Sequence, residues 1–271
     1  IKEEANKLTY GNYDLNFENN DINEVQELAD TIDLAAKEIS KVEEYRTELM
    51  ANVSHDLKTP LTMIKAYAEM IKDISGENRD KREEHLDIII NETDSLNNLV
   101  SDMLNLSKLQ AKAVAVQAEA FDLTEQLYNC YNRFEPLAAS EGVTIDLQCQ
   151  PELIAIGDAS KIEEVLNNFV SNALKHYGDD KTIILKGYYK SKNTIRVEVT
   201  DYGTGIDEEV LPYIWDRYFK IDKKYQRSKS GSGLGLAISK AILETSGCKY
   251  GVISKINEGS TFYFELPKII G

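Results

Sequence analysis

A histidine with a carboxylate beside it stands inside the run Ser54-His55-Asp56-Leu57-Lys58-Thr59-Pro60-Leu61. Leu49, Val53, Leu57, Leu61, Ile64, Ala68 and Ile71 follow each other at steps of three or four, the period of one buried helix face. At about 100° per residue, His55 projects roughly opposite the centre of that face, which leaves its imidazole available for chemistry. A carboxylate that accepts from one ring nitrogen fixes the tautomer and leaves the other nitrogen as a nucleophile. Pro60 has no N–H for the carbonyl of Asp56 and is expected to bend the helix just past the histidine.

Further stretches suit a nucleotide. On a helical run at 159–175, Ile162, Val165, Leu166, Phe169 and Ala173 make a buried face, and Asn168, Asn172 and Lys175 make a polar stripe on the other side. An amide oxygen is a hard ligand for Mg²⁺, and a lysine one turn away can meet a phosphate. Ile195, Val197 and Val199 alternate as a strand that ends in Asp201-Tyr202-Gly203-Thr204-Gly205. Gly203 and Gly205 let the backbone pass close to a flat ligand, and the carboxylate can accept from an exocyclic amine such as that of adenine. Gly231-Ser232-Gly233-Leu234-Gly235-Leu236 precedes a helix and exposes backbone N–H groups suited to phosphate. It is neither a Walker A loop nor a dinucleotide fingerprint, because it lacks the lysine of the one and has Leu236 in place of the last glycine of the other. Between these motifs lies Trp215-Asp216-Arg217-Tyr218-Phe219-Lys220, then a basic run with Lys223, Lys224, Arg227 and Lys229. A triphosphate under a lid would explain this local positive charge. Trp215, at the lid's edge, is expected to report its closure.

The elements that must position these groups fall into two kinds. The 271 residues allow two or three small domains, and 42% hydrophobic with 28% charged residues is an ordinary globular balance. A net charge of −15 argues against a general nucleic-acid binder. Cys130, Cys149 and Cys248 are scattered, which suits a reducing compartment and offers no zinc site. No apolar run reaches the roughly 20 residues needed to span a bilayer, and no signal peptide is read. Helical spacing extends from Ile22 through Val25, Leu28, Ile32, Ile39 and Leu49 into the histidine helix. Ser75-Gly76-Glu77-Asn78 breaks it, and a second helix is expected from Arg79 to Gln110, with Leu86, Ile90, Thr93, Leu96, Val100, Met103 and Ser107 as its stripe. Two antiparallel helices with one stripe each cannot close a core; two copies make a four-helix bundle. His85, on the second helix, is read as solvated surface. After an alanine- and valine-rich joint at 111–120, strands are expected at 143–147, 153–156, 182–189, 194–200, 248–254 and 261–266, with helices at 123–140, 159–175 and 234–246. That mixed order predicts an α+β sandwich, with helices on one face of a mixed sheet.

The H-D-L-K-T-P-L run resembles the H-box of bacterial sensor histidine kinases. The downstream motifs, in this order, resemble the N, G1, F and G2 boxes of their ATPase domain, a member of the GHKL group, and Gly259-Ser260-Thr261-Phe262 is similar to its closing G-T block. The resemblance implies a dimeric all-α bundle for dimerisation and phosphotransfer at 41–115, an α+β ATP-binding domain of the GHKL type at 119–271, and a partial HAMP linker at 1–40. The last rests on Gly11-Asn12-Tyr13-Asp14, while Asn23-Glu24-Val25-Gln26 departs from the commoner D-E-x-G. By the same resemblance, His55 is the autophosphorylation site, Asp56 orients its ring and takes up its proton, and Thr59 positions a water for dephosphorylating the partner. Asn172 ligates Mg²⁺, with Asn168 and Lys175 near the phosphates of ATP, and His176 faces the nucleotide. Asp201 binds the adenine amine with Thr261 close by, aided by Gly203 and Gly205. Lys220 and Arg227 contact phosphate from the lid, and Gly231, Gly233, Leu234, Gly235 and Leu236 form the glycine-rich phosphate loop. Trp215 and Tyr218 stand where two phenylalanines are usual, and Tyr177 replaces a small residue. The implied partners are a second copy, the receiver domain of a response regulator and an upstream transmembrane segment outside this chain. That would make it the cytoplasmic portion of a bacterial membrane protein. A catalytically silent ATP-binding adaptor and a GHKL ATPase of the chaperone or mismatch-repair kind are the alternatives.

Overall fold

The computed structural model describes residues 23–110, 118–216, 219 and 233–268. The expected connector at 11–14 and the basic run at 223–229 lie outside them. The chain forms two compact units that divide within one helix, between Leu96 and Asn97.

Helix α1 spans Asn23–Met70 and passes through Pro60 without ending, then tightens into a π-helical turn at Ile71–Ser75. Helix α2 spans Arg79–Gln110, the expected limits. The turn between them is closed locally: the Asn78 side chain accepts from the Lys81 N–H at 3.1 Å, a helix-start cap, and Arg82 Nη1 donates to the Gly76 carbonyl at 2.8 Å. A Cβ on Gly76 would lie 2.7 Å from the Ile71 carbonyl oxygen, so only glycine fits there. Against expectation, His85 is buried. Its Nδ1 lies 3.0 Å from Ser75 Oγ and its ring packs 5.2 Å from that of Tyr67. The cover comes from across the turn, so the pattern of α2 alone gives no sign of it. The apolar stripes, by contrast, stay open in a single chain: Leu61 is 53% and Ile90 56% exposed, and Leu86 and Val100 are exposed with them.

The second unit is built on a five-stranded sheet in the order β2-β4-β5-β7-β6, from β2 (Thr144–Cys149), β4 (Thr182–Ser191), β5 (Thr194–Asp201), β6 (Lys249–Lys255) and β7 (Gly259–Pro267). The β2–β4 pair is parallel and the others are antiparallel, the mixed sheet expected. Helices α3 (Leu123–Ser140), α4 (Ala159–His176) and α5 (Gly235–Thr245) complete the layer. A short ladder of β1 (Glu119–Asp122) on β3 (Ile154–Gly157) was not expected, because 111–120 reads as a joint. Its side chains are mostly exposed, so no alternating signal marks it.

Alternation along β5 sets the two faces. Ile195, Val197, Val199 and Asp201 are buried. They face the same core as Phe262, Phe264 and Leu266 of β7, which Phe169 of α4 fills with ring centroids 5.5 Å from Phe262 and 6.1 Å from Phe264. On the other face Arg196 sits 3.6 Å over the Tyr263 ring and pairs with Glu198 at 2.7 Å and Glu265 at 3.1 Å. Trp215 corrects the expectation of a lid reporter. It is buried, 4.9 Å edge-on from Tyr250 and 5.8 Å from Phe262, and so belongs to the core.

Candidate nucleotide site

Helix α4 begins where Asp158 accepts from the Ser160 and Lys161 N–H groups at 3.1 and 3.2 Å. Its apolar face, from Ile162 to Leu174, is buried in the core. That packing fixes the opposite side, where Asn168 and Asn172 are half-buried and Lys175 and His176 are exposed. Asn168 is engaged: its Nδ2 donates to the Gly235 carbonyl at 3.2 Å and to Ser239 Oγ at 3.3 Å, tying α4 to the first turn of α5. A Cβ on Gly235 would sit 3.4 Å from Asn168 Oδ1, about van der Waals contact. Desolvation lowers the pKa of Lys175, and of His176, which also feels the charge of Lys175. Both side chains are exposed, so solvent screens the effect.

The loop after β5 presses against the end of α4. Cβ atoms on Gly203 and Gly178 would lie 1.7 Å from the His176 carbonyl oxygen and 1.9 Å from that of Tyr202, respectively. Asp201 is 2% exposed, and its Oδ1 accepts from the Gly203 N–H at 3.0 Å. Burial pushes its carboxyl from the ordinary 3.8 up to about 6, against the backbone N–H groups of Gly203 and Ser260, which favour the charged form. The structure thus brings together Asp201, Gly203, Gly205 and the end of α4, and separately Asn168 and Gly235.

Two of the expected contacts shift. Thr261 pairs with Thr200, the hydroxyls 2.8 Å apart, on the sheet face away from Asp201. The residue opposite Asp201 is Ser260, buried on the core face. Its signal was present in the sequence: counting back by two from Phe264 and Phe262 reaches Ser260, not Thr261. Leu234 plugs the core with no exposed surface, so its side chain is not available to a ligand. Gly233 has φ +67° and Leu236 is half-buried at the start of α5. Gly231, Lys220 and Arg227 lie outside the described residues, as does the side chain of His55, whose backbone is helical in α1. Asp56 is half-buried, and Thr59, one turn on from His55, is exposed. Cys130, Cys149 and Cys248 are free thiols.

Two family models match the chain. Residues 45–112 match the His Kinase A (phospho-acceptor) domain, and residues 157–270 match the histidine kinase-, DNA gyrase B- and HSP90-like ATPases. The chain belongs to the bacterial sensor histidine kinases. It is 30% identical over 229 residues to the sensor protein SrrB of several Staphylococcus aureus strains, a match over 84% of this chain but only 39% of the relative. The chain thus spans about two-fifths of the curated relatives it matches. Among solved structures, histidine kinase ThkA in complex with the response regulator TrrA superposes with a TM-score of 0.68 at 24% identity, over 92% of this chain and 68% of that one. Histidine kinase AdeS of Acinetobacter baumannii gives 0.65 at 20% identity, over 80% and 98%. Full-length ShkA in complex with AMPPNP gives 0.61 at 23% identity, over 83% and 47%. These likenesses establish the fold. Among the described residues, no helix is long and apolar enough to cross a membrane.

A carboxyl whose folded pKa is raised costs stability once it ionises. Below 3.8 it is protonated in both states; as pH rises, the unfolded chain loses its proton first, and the penalty is complete above about 6. The gap between 3.8 and about 6 corresponds to about 3 kcal/mol. Asp201→Asn therefore stabilises the ligand-free second unit at pH 7.5 by up to that amount, and much less at pH 4.5. Urea denaturation followed by Trp215 emission checks this. An equal loss of stability at both pH values would contradict it.

Proposed function

We propose that the chain autophosphorylates His55 from ATP·Mg²⁺ and passes the phosphoryl group to an aspartate of a response-regulator receiver domain. The carrying observation is Asp201: a carboxylate is kept buried at the mouth of a loop too tight for a Cβ at Gly203 or Gly205, against the helix that holds Asn172. A site of that kind suits a flat base with an exocyclic amine, which gives the buried oxygen a donor.

In this reading, residues 119–271 are the ATP-binding domain and 41–115 the dimerisation and phosphotransfer domain. Asp201 fixes the adenine. Lys175 and His176 face the nucleotide from the end of α4, and Lys220, Arg227 and the backbone from Gly231 to Leu236 meet the phosphates. Asn168 serves from behind, holding α5 in place. The amide oxygen of Asn172, a hard ligand on the polar side of α4, is the protein group that would hold Mg²⁺ beside the phosphates. When bound, the ion supplies charge neutralisation on the triphosphate.

The neutral His55 ring attacks with the Nε2 lone pair. A P–N bond forms at the γ-phosphorus as the bond to the bridging oxygen breaks, and ADP leaves with that electron pair. Asp56 receives the Nδ1 proton, so the ring is neutralised as it bonds. The open apolar stripes of α1 and α2 support a homodimer in which two hairpins close one four-helix core. Residues 1–40 are read as part of a HAMP linker leading to an upstream transmembrane sensor. This makes the chain the cytoplasmic portion of a bacterial membrane protein.

Incubation with γ-labelled ATP tests the kinase reading. Wild type gains acid-labile, base-stable label, and His55→Gln gains none while its ATP affinity is unchanged. Label of that kind on the mutant would remove His55 from the role, and none on wild type would leave a silent ATP-binding adaptor. A phosphatase activity toward the regulator is part of the same proposal. Thr59 lies one helical turn from His55 and offers a hydroxyl on its side. Thr59→Ala should lower regulator dephosphorylation at least tenfold more than autophosphorylation; equal losses would mean that the change only damaged the helix.

A further inference from the structure

The β6–β7 hairpin closes over the loop that carries Asp201 and holds it by specific bonds. The Ile206 N–H donates to Ser254 Oγ at 2.8 Å, and the Asn257 N–H donates to the Thr204 carbonyl at 2.7 Å. The two backbones come as close as they can. A Cβ on Gly205 (φ +67°) would lie 2.0 Å from the Lys255 carbonyl oxygen, and one on Gly259 (φ +88°) 2.0 Å from that of Asp201. Both glycines are required by conformation and by space.

Ser254 stands at the centre of this contact. A hydroxyl has one hydrogen and two acceptor sites. Ser254 Oγ gives its hydrogen to the Gly259 carbonyl at 2.8 Å. It accepts from Ile206 N–H, and its remaining site faces Ser260 Oγ at 2.9 Å. Ser260 is therefore the donor in that pair, and the Ser254 oxygen is fully used. Ser254 also pairs directly with Ser260 across β6 and β7, and Ser260 pairs with Asp201 across β7 and β5. One hydroxyl thus links both sides of the buried carboxylate: the loop that follows it and the strand residue beside it.

We propose that Ser254 is a positioning residue for base recognition, fixing the 202–206 loop so that Asp201 meets the exocyclic amine of the nucleotide. The proposal rests on the reading of Asp201 as the acceptor for adenine. In this role Ser254 acts through its bonds to Ile206, Gly259 and Ser260. A loop with two glycines has many conformations open to it, and fixing one in advance lowers the cost of binding.

The test uses the full chain and calorimetric titration with non-hydrolysable ATP and GTP analogues. Wild type should prefer the adenine form. Ser254→Ala should bind it roughly tenfold more weakly, the worth of about one hydrogen bond in a preorganised site. Its affinity for the guanine form should change little, so the preference between bases falls by the same factor. Ser254→Thr keeps the hydroxyl, suits a strand, and should restore both values. If Ser254→Ala does not fold, Ser254→Cys, nearly the same shape but a weak acceptor, should show a reduced preference. An unchanged base preference in the alanine or cysteine variant overturns the proposal, as does a threonine variant as weak as alanine. Wild type with no preference for adenine would overturn the reading of Asp201 itself, and is told apart because it needs no mutant.

Discussion

The second unit is arranged around a carboxylate in the wrong solvent. Asp201 continues the buried parity of Ile195, Val197 and Val199, so the strand carries a charge to the place where the next apolar side chain belongs. Two things keep it there. Backbone N–H groups of Gly203 and Ser260 favour its ionised form, and the surrounding main chain closes tightly around it. Gly178, Gly203, Gly205 and Gly259 each sit where a Cβ would fall within about two ångströms of a carbonyl oxygen. These glycines are thus the means by which three segments — the end of α4, the loop after β5 and the β6–β7 hairpin — reach one carboxylate together. Stability is given up locally where the carboxyl ionises, which in the proposed reading is the cost of holding a binding group in place.

Helix α4 is the element that both halves of the site share. Its buried face is continuous with the aromatic cluster of Phe169, Trp215, Phe262 and Phe264, which leaves it no freedom to rotate. Its polar side then divides the work. Asn168 reaches α5 and holds its first turn, just after the glycine run, while the carbonyl of His176, at the last turn of α4, lies against Gly203. A change in the packing of Phe169 would therefore reach both clusters at once. The first unit has the opposite character. Its hairpin turn is well fixed by Ser75, His85 and Arg82, but its apolar stripes find too little within one chain to cover them.

What was legible in the sequence follows from the range of the signal. Arg79–Gln110 and Leu123–Ser140 matched because caps, breakers and helical period are local. Asp201 at a strand end was legible from the alternation before it and the glycines after it. Trp215 was not: it adjoins the basic run in sequence but meets Tyr250 and Phe262 in space. His85 was missed for the same reason, since Tyr67 and Ser75 reach it across the turn. The motif points to Thr261, whereas strand parity points to Ser260, the residue that lies opposite Asp201. Asn168 reads equally well as a free polar group or as a bridge to Gly235, and only the packing of α5 decides. Ser254 carries no local signal at all, because its meaning lies in three partners from other segments.

The account turns on whether the buried Asp201 carboxylate is there for an exocyclic amine. A thermodynamic cycle asks this directly. Calorimetry compares a non-hydrolysable ATP analogue with the same molecule lacking its 6-amino group, in wild type and in Asp201→Asn. Loss of the amine should cost wild type at least tenfold in affinity and the mutant little, because the partner has already gone. The same penalty in both proteins would mean that Asp201 does not meet the amine, and would contradict the account.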